Sequence, residues 1–303
     1  MIREIAGRHN HAVKLARKLQ KKKWRRERGL IVCEGMDLLE AALAAQAEII
    51  EVLVRKELFA ALPHALRARA EAGMEQSQSA RVPNIGLCSQ ETLDYASSLG
   101  GSADVVFLCR KPGWHLSSLP ARGGIVFYLD GLGDPGNVGT LCRSALAFGL
   151  QGVICSPGTA DAFGPKALRA GMGAQFLLPV VSEVMPSDLK AYLERIAEEG
   201  SLRCSVVVAD ARGDVELASA AELFAQGGLV VVVLGEEREG PAHPWPEAKR
   251  VSIPQVSFDS LNVAMAGTVF AYEAAKARVS RKESHGSGQG RPAHGSDQLA
   301  DRP

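Results

Sequence analysis

The chain has 303 residues, of which 46% are hydrophobic and 23% are charged, a composition typical of a globular protein. This length favours about two domains. No uninterrupted apolar run is long enough to span a membrane, and the first residues lack the apolar core of a secretory signal, so we expect no membrane association. The six cysteines are scattered without a CxxC pair, which predicts reduced, buried thiols, no metal site and a cytoplasmic location.

The net charge of +1 conceals a strongly basic N-terminal segment. Residues 1–28 carry eleven Lys or Arg side chains against two Glu, a local net charge of +9, so the rest of the chain carries −8. Clustered cations neutralise phosphates, and an indole such as that of Trp24 can stack on an unpaired base. We therefore predict that this segment binds RNA, with a solvated helix face or a disordered start as alternatives. The candidate RNA-binding residues in it are Lys21, Lys22, Lys23, Arg25 and Arg26.

Residues 1–109 are predicted to form one small α/β domain. A short apolar stripe begins at Val13 and indicates a helix, and a second helix is predicted over 36–47. A third helix is predicted over 58–72, with Pro63 marking its start or a break. The predicted strands are 30–33, 49–54, 85–88 and 105–109, and the polar stretch 73–83 is predicted to be a loop.

Residues 110–123 are rich in Pro and Gly and are predicted to link the first domain to a longer α/β domain, 124–279. The strand candidates there are continuous apolar runs, as in parallel sheets that helices cover on both faces. These strand candidates are 125–129, 152–155, 176–179, 205–209, 229–234 and 250–253, and the helix candidates are 138–148, 165–172, 187–199, 219–224 and 260–279. Residues 280–303 contain almost no apolar side chains and are predicted to be a disordered tail.

Two polar residues follow the first strand of the longer domain. A glycine-rich turn leads to Asn137, which precedes the helical run 138–148. Asn is a favourable N-cap because its side-chain oxygen accepts a hydrogen bond from the first helical turn, so capping is one interpretation of Asn137. Arg143 lies further along a mostly apolar helix, where a charge requires a partner or a pocket. Arg143 is therefore a candidate functional residue, with a surface cation as the alternative.

Further candidates lie near the ends of later strands. Lys166 and Arg169 share one face of a helix that begins with Pro165, where they could hold RNA phosphates or be solvated. Gly235 and Glu237 lie in a glycine-bracketed acidic turn that follows an apolar strand. Ser260 is suited to cap the last helix, which is its simplest interpretation.

In their order along the chain, the segments 134–143, 234–240 and 253–262 resemble the three motifs of the SpoU (TrmH) class of RNA 2′-O-ribose methyltransferases, in the SPOUT superfamily. The resemblance covers about residues 124–279. Residues 30–43 resemble more loosely the substrate-binding module of this class, which is similar to ribosomal protein L30e.

The third motif departs from the class pattern, since Gln255 replaces Met and the loop before Ser260 is one residue shorter than usual. Glu236 is a further departure, because Asn or a small residue is commoner there. These differences bear on the detailed shape of the cofactor pocket.

The resemblance implies an α/β fold: a SPOUT-type parallel sheet with a C-terminal trefoil knot, preceded by a small L30e-like α/β substrate-binding domain. It implies a homodimer that transfers a methyl group from S-adenosylmethionine to a ribose 2′-hydroxyl of RNA, with rRNA favoured over tRNA and no metal required. By resemblance, backbone around Gly235, Ile253 and Leu261 holds the cofactor. The catalytic residues that it implies are Asn137, Arg143, Glu237, Ser260 and Asn262.

Two other functions are compatible with parts of the sequence. Glu236, Gln255 and the shorter loop would suit a weakly catalytic or non-catalytic RNA-binding assembly protein with a SPOUT fold. A Rossmann-like small-molecule enzyme would leave residues 1–28 without a role, and the turn at 131–136 is not the GxGxxG of dinucleotide-binding proteins.

Overall fold

The computed structural model of the protein describes residues 1–71, 83–98, 103–119, 123–200, 202–257 and 261–286. Most of the predicted loop 73–83 and the end of the predicted tail, 287–303, lie outside the described residues. Within the described ranges, no helix is both long enough and apolar enough to cross a membrane.

The first α/β unit is built on a five-stranded mixed sheet. Its strands are β1 (Ile2–Glu4), β2 (Leu30–Glu34), β3 (Ile49–Arg55), β4 (Asn84–Cys88) and β5 (Val105–Arg110), in the spatial order β1-β4-β3-β5-β2. β1, β4 and β3 run parallel, whereas β5 is antiparallel to both β3 and β2. The four predicted strands are confirmed. β1 was missed because it is three residues long and has no buried residue.

Among the described residues, five α-helices pack around this sheet: α1 (His11–Leu19), α2 (Lys22–Arg28), α3 (Met36–Ala44), α4 (His64–Glu71) and α5 (Gln90–Ala96). The predicted helix 58–72 is divided at Pro63, with a 3₁₀ segment at Lys56–Ala61 before α4. In the basic N-terminal segment, α1 buries Val13, Ala16 and Leu19 completely, so this segment is an integral part of the fold.

The second unit is a seven-stranded sheet in which every neighbouring pair is parallel, as predicted. Its strands are β6 (Gly124–Asp130), β7 (Gly152–Cys155), β8 (Val180–Val181), β9 (Cys204–Ala209), β10 (Val215–Glu216), β11 (Leu229–Gly235) and β12 (Lys249–Ser252). Their spatial order is β10-β12-β9-β11-β6-β7-β8. β11 and β6 lie side by side in the middle, and every residue of β11 is buried.

In the part of this unit that the structure describes, six helices cover the sheet: α6 (Pro135–Ala147), α7 (Pro165–Gly171), α8 (Ala174–Leu177), α9 (Pro186–Gly200), α10 (Leu217–Ala225) and α11 (Val263–Gly286). The predicted strand 176–179 is wrong. Gly173 in a left-handed conformation begins the short helix α8 there, and the strand follows at β8. α11 continues to Gly286, beyond the predicted start of the tail at 280.

The cysteines are free thiols, as predicted from their spacing. All are buried except Cys204, which is half-buried. Burial raises the pKa of Cys88 and of Cys155 to about 12, so both are neutral thiols near pH 7.

α6 packs against two other helices of the second unit, α11 and α7. It packs side by side with α11, where Ser144 and Thr268 share a hydrogen bond of 2.7 Å between their hydroxyls and Phe148 meets Tyr272 edge to face. On another side α6 lies directly against α7, because Gly139 has no side chain to separate the two backbones. A Cβ at this position would collide with the carbonyl oxygen of Ala167.

We predict that Gly139→Val lowers the free energy of unfolding by about 3 kcal/mol or more, because an overpacked side chain would force α6 and α7 apart. Thermal and denaturant unfolding measure this change. Thr140→Val, at the next and partly exposed position, is the control and should change stability far less. Equal effects of the two substitutions would show that the close approach of α6 and α7 is not required.

Candidate functional site

The ends of the two central strands bring two of the motifs together. Gly235 at the end of β11 is in register with Asp130 at the end of β6. The turn after β11 is closed by two backbone hydrogen bonds between Glu236 and Gly240, of 2.9 and 2.8 Å. A Cβ on Gly235 would collide with the backbone of Gly240 and Pro241, so this tight turn requires glycine. The acidic turn is therefore held directly above the central strands.

Asn262 connects all three motifs through one side chain. Its Nδ2 donates to Oε1 of Glu237 at 2.7 Å and to Oδ1 of Asn137 at 3.3 Å. Its Oδ1 accepts from the backbone N–H groups of Ala264 at 3.0 Å and Met265 at 3.4 Å. The structure thus brings together three of the predicted catalytic residues, which are far apart in the sequence.

Asn137, Glu237 and Asn262 form what we call the motif junction, and the capping predictions for α6 and α11, the two helices that meet there, are corrected. α6 begins at Pro135, and its N-cap is Asp134, whose side chain accepts from the backbone N–H of Gly136. Asn137 lies inside the first turn of α6, so its amide is free to bond with Asn262. The last helix begins at Val263 and is capped by Asn262. Ser260 lies outside the described residues.

Glu237 has a structural task at the same junction. Its Oε1 accepts from the backbone N–H of Val263 at 3.2 Å as well as from Asn262. A carboxylate at the N-terminus of a helix satisfies unpaired amides and complements the helix dipole. Glu237 therefore fastens the start of α11 to the turn after β11. Glu236, beside it, accepts a hydrogen bond from the backbone N–H of Gly133, which ties the same turn to the loop before α6.

Arg143 lies on α6 but is not part of this junction. Six residues separate it from Asn137, about 9 Å along the helix axis at 1.5 Å per residue. The side chain of Arg143 is exposed, as in the alternative interpretation of a surface cation. Within the described ranges it forms no ion pair. An exposed guanidinium without an ion-pair partner among the described residues is available for an anion.

Among the residues predicted to surround a cofactor, Gly235 and Leu261 adjoin Glu237 and Asn262 along the chain. Ile253 and Leu261 are both partly exposed, and Ile253 also packs against the main core. Gln255, which replaces the Met of the class pattern, has a buried Oε1 with no hydrogen-bond partner among the described residues. A buried acceptor without a donor is costly, so this atom is available to accept a hydrogen bond from a ligand.

Lys166 and Arg169 were predicted to hold RNA phosphates, and each has an acidic neighbour. Lys166 donates to Asp134 at 3.0 Å, and both side chains are exposed. This lysine, followed by the backbone N–H of Gly136, lowers the pKa of Asp134. Arg169 lies 3.7 Å from the fully buried carboxylate of Glu34 in the first unit. Arg169 therefore belongs to the contact between the two units, and Lys166 is the more accessible of the two cations.

The basic N-terminal segment is only partly available for RNA. Arg25 is buried at 5% exposure, where it is paired with Asp161 and donates to the carbonyl oxygens of Leu19 and Gln20. The prediction that Arg25 binds RNA is therefore corrected: its charge is neutralised inside the protein. The Trp24 ring is half-buried beneath the Lys18 ammonium.

The other cations of this segment point outward. Lys22 pairs with Glu183 at 2.7 Å on the protein surface, and Lys23 lies 3.9 Å from Glu27. Lys21 and Arg26 are exposed. These four side chains remain candidates for RNA contact.

Sequence reasoning missed a buried carboxylate beneath the junction. Asp130 is completely buried and accepts from the backbone N–H and ring Nδ1 of His243, at 3.1 and 2.6 Å, and from Nε1 of Trp245 at 2.9 Å. The Trp245 ring in turn meets Tyr128 edge to face. Asp130 thus anchors the chain between β11 and β12. The sequence feature that could have indicated this role is an acidic residue at the end of a continuous apolar run.

Family models match both units of the chain. Residues 124–272 match the SpoU rRNA Methylase family, and residues 10–94 match an MRM3-like substrate binding domain. A 23S rRNA (guanosine(2553)-2′-O)-methyltransferase of Bacillus subtilis (strain 168) is 31% identical over 199 residues, 66% of this chain and 71% of that protein. A 23S rRNA (uridine(2479)-2′-O)-methyltransferase of Streptomyces viridochromogenes is 30% identical over 212 residues, 68% of this chain and 71% of that protein.

Solved structures share this architecture over nearly the whole chain. An AdoMet-bound rRNA methyltransferase from Sinorhizobium meliloti is 26% identical with a TM-score of 0.73, covering 91% of this chain and 98% of that one. The SpoU methyltransferase AviRb from Streptomyces viridochromogenes is 25% identical with a TM-score of 0.74, covering 89% and 98%. The fold and the three joined motifs are those of a SPOUT-type α/β protein. The chain belongs to the SpoU rRNA methylase family.

We predict that Asp130→Ala lowers the free energy of unfolding by about 2–5 kcal/mol, because it removes the buried acceptor of three hydrogen bonds from His243 and Trp245. Hydrogen exchange of residues 236–249 should increase together with this loss. Asp210→Ala is the control, since it removes the half-exposed partner of Arg250 and should cost less than about 1 kcal/mol. Unchanged exchange in Asp130→Ala would contradict the anchoring role.

Proposed function

We propose that this protein transfers the methyl group of S-adenosylmethionine to a ribose 2′-hydroxyl of RNA, with rRNA as the favoured substrate. The observation that carries the proposal is the convergence of three motifs on Asn262 in a chain of the SpoU family. Relatives described as 23S rRNA 2′-O-methyltransferases support the substrate class. An rRNA substrate also agrees with the cytoplasmic location expected from the sequence.

The residues beside the junction suit S-adenosylmethionine. When bound, this cofactor supplies an activated methyl group on a positively charged sulfonium. Backbone at Gly235, Ile253 and Leu261 would hold it, and the orphaned Oε1 of Gln255 offers an acceptor for one of its N–H groups. The carboxylates of Glu236 and Glu237 place negative charge at the same edge, which favours a cationic ligand. In this proposal Asn137, Asn262 and Ser260 orient the site.

Arg143 is proposed to bind the substrate. A guanidinium stays protonated near neutral pH, so it is unsuited to remove the hydroxyl proton itself. Its suitable task is a bidentate bond to the phosphate next to the target ribose, which fixes the 2′-hydroxyl in line with the methyl group. The exposed position of the side chain supports this task, because nothing in the described part of the protomer neutralises it.

The separation of Arg143 from the junction supports a dimeric enzyme in which Arg143 serves the cofactor of the partner. Met265 and Tyr272 on α11 are large apolar side chains at 63% and 52% exposure, as expected for a surface that a second copy covers. The deep trefoil knot is likewise proposed for the segments after β11 and β12. The proposed domain boundaries are 1–109, 110–123 as linker and 124–279, with α11 continuing past the last boundary to Gly286.

A non-catalytic assembly role is the second candidate. Glu236 favours it, since this carboxylate departs from the class pattern and is already engaged by Gly133. The intact connection of Asn137, Glu237 and Asn262 favours the enzyme. Cofactor binding without methyl transfer would distinguish the assembly protein.

We predict that Arg143→Ala reduces methyl transfer to unmodified rRNA by about 100-fold or more, since misplaced reactants lose that much rate. The assay uses methyl-labelled S-adenosylmethionine and maps the labelled nucleotide to its 2′-oxygen. Arg195→Ala, which removes an exposed cation on α9, is the control and should retain full activity. Wild-type protein that binds cofactor and RNA without transferring label would overturn the enzymatic proposal.

We predict that Met265→Asp shifts the protein from dimer to monomer in analytical ultracentrifugation, because it places a charge in the proposed apolar interface. Met185→Asp, at an exposed methionine before α9, should leave the dimer intact. A wild-type protein that sediments as a monomer at all concentrations would refute the shared site.

A further inference from the structure

A cavity of about 150 Å³ lies between the two units, apart from the motif junction. α2 forms one wall, the segment 111–114 forms another, and the loops after β7 and β8 form its floor. The carboxyl ends of parallel strands are a common location for ligand sites in α/β proteins. The cavity therefore occupies a favourable position in the fold, on the edge of the sheet that faces the first unit.

The charges of this cavity leave a surplus of two cations. Lys22, Arg25, Arg26 and Lys111 line it together with Asp161 and Glu183, so four positive charges face two negative ones. Arg25 is paired with Asp161, and Lys22 is paired with Glu183. Neither of the other two cations has a carboxylate partner among the residues that the structure describes. Arg26 and Lys111 thus provide an uncompensated charge for an anion.

The cavity is lined by aromatic and hydroxyl groups as well as by cations. The Lys111 ammonium lies 4.8 Å from the centroid of the buried Phe163 ring, which keeps it at the cavity. The Trp114 indole is fixed because its Nε1 donates to the carbonyl oxygen of Gln175 at 3.2 Å. Ser182 presents a buried hydroxyl without a partner in the described structure. An aromatic surface, two free cations and an unpaired hydroxyl match the base, phosphate and sugar of one nucleotide.

The cavity is connected to the proposed reaction site through the loop between β6 and α6. Ser156 and Thr159 line it, and their hydroxyls accept from the backbone N–H of Gly131 at 3.0 and 3.1 Å. Gly131 begins the loop that leads to Asn137. A ligand in the cavity would therefore contact the residues that support this loop.

We propose that this cavity binds a nucleotide of the RNA substrate that flanks the methylated one, with Arg26 and Lys111 binding its phosphate. Arg25 acts as a positioning residue, because its buried pair with Asp161 holds α2 over the cavity. The identity of the ligand as RNA rests on the proposed function, whereas the phosphate-binding character rests on the cavity itself. Lys111 is not among the residues that the sequence predicted to bind RNA.

The experiment measures the affinity of full-length Lys111→Gln and Arg26→Gln for in vitro transcribed, unmodified rRNA over a series of salt concentrations. Each variant should bind several-fold more weakly, with a log–log salt slope reduced by at most about 0.7, the value for one phosphate contact to single-stranded RNA. Affinity for S-adenosylmethionine and the Tm should stay unchanged. Substitution is used instead of deletion of 1–28, since α1 carries core residues.

Arg28→Gln is the matched control, because it removes the same charge from the same helix outside the cavity. An equal loss in this control would mean that α2 acts only through diffuse charge, and the proposed subsite would be wrong. Displacement of a bound mononucleotide by inorganic phosphate, with no change in RNA affinity in either variant, would identify a free-nucleotide site and overturn the RNA assignment. Methyl transfer by the wild type is measured separately, so a failed enzymatic proposal leaves the affinity result interpretable.

Discussion

The amide of Asn262 is the connection on which the proposed active site depends. One side chain caps α11, bonds to Glu237 in the turn after β11 and reaches Asn137 in the first turn of α6. An amide can do this because it carries donors and an acceptor on adjacent atoms. The loops that would surround the cofactor are thereby held to the central strands.

Beneath this connection, buried charge fixes the surrounding chain. Asp130 satisfies three donors of His243 and Trp245, and a buried carboxylate is tolerated only when it is hydrogen-bonded in this way. Two ion pairs connect the units, one between Arg25 and Asp161 and the other between Glu34 and Arg169, and in each pair the opposite charges neutralise each other. Removal of Asp161 would leave the charge of Arg25 buried, and removal of Arg169 would leave that of Glu34 buried, so these pairs favour one arrangement of the first unit on the second.

The cations therefore divide into those that hold the protein together and those that are free for a substrate. Arg25 and Arg169 belong to the first group, whereas Arg143, Arg26 and Lys111 belong to the second. Arg26 and Lys111 line the cavity between the units, whereas Arg143 is exposed on α6. This distribution suits a long polyanion that crosses the contact between the units, with its target ribose near the junction.

The sequence by itself determined the parallel α/β class, most strand positions and the three motifs, because continuous apolar runs and glycine turns are local signals. It failed at 176–179, where apolar residues form a helical turn instead of a strand, since short apolar runs suit both. Only the tertiary structure decided that Asn262 caps α11, that Arg25 is neutralised by Asp161 and that Asp130 binds Trp245. The partners of Arg25 and Asp130 lie more than a hundred positions away in the sequence, and the cap depends on where α11 begins. Local sequence patterns carry no information about either, so these pairings could be assigned only from the burial and interatomic distances in the folded protein.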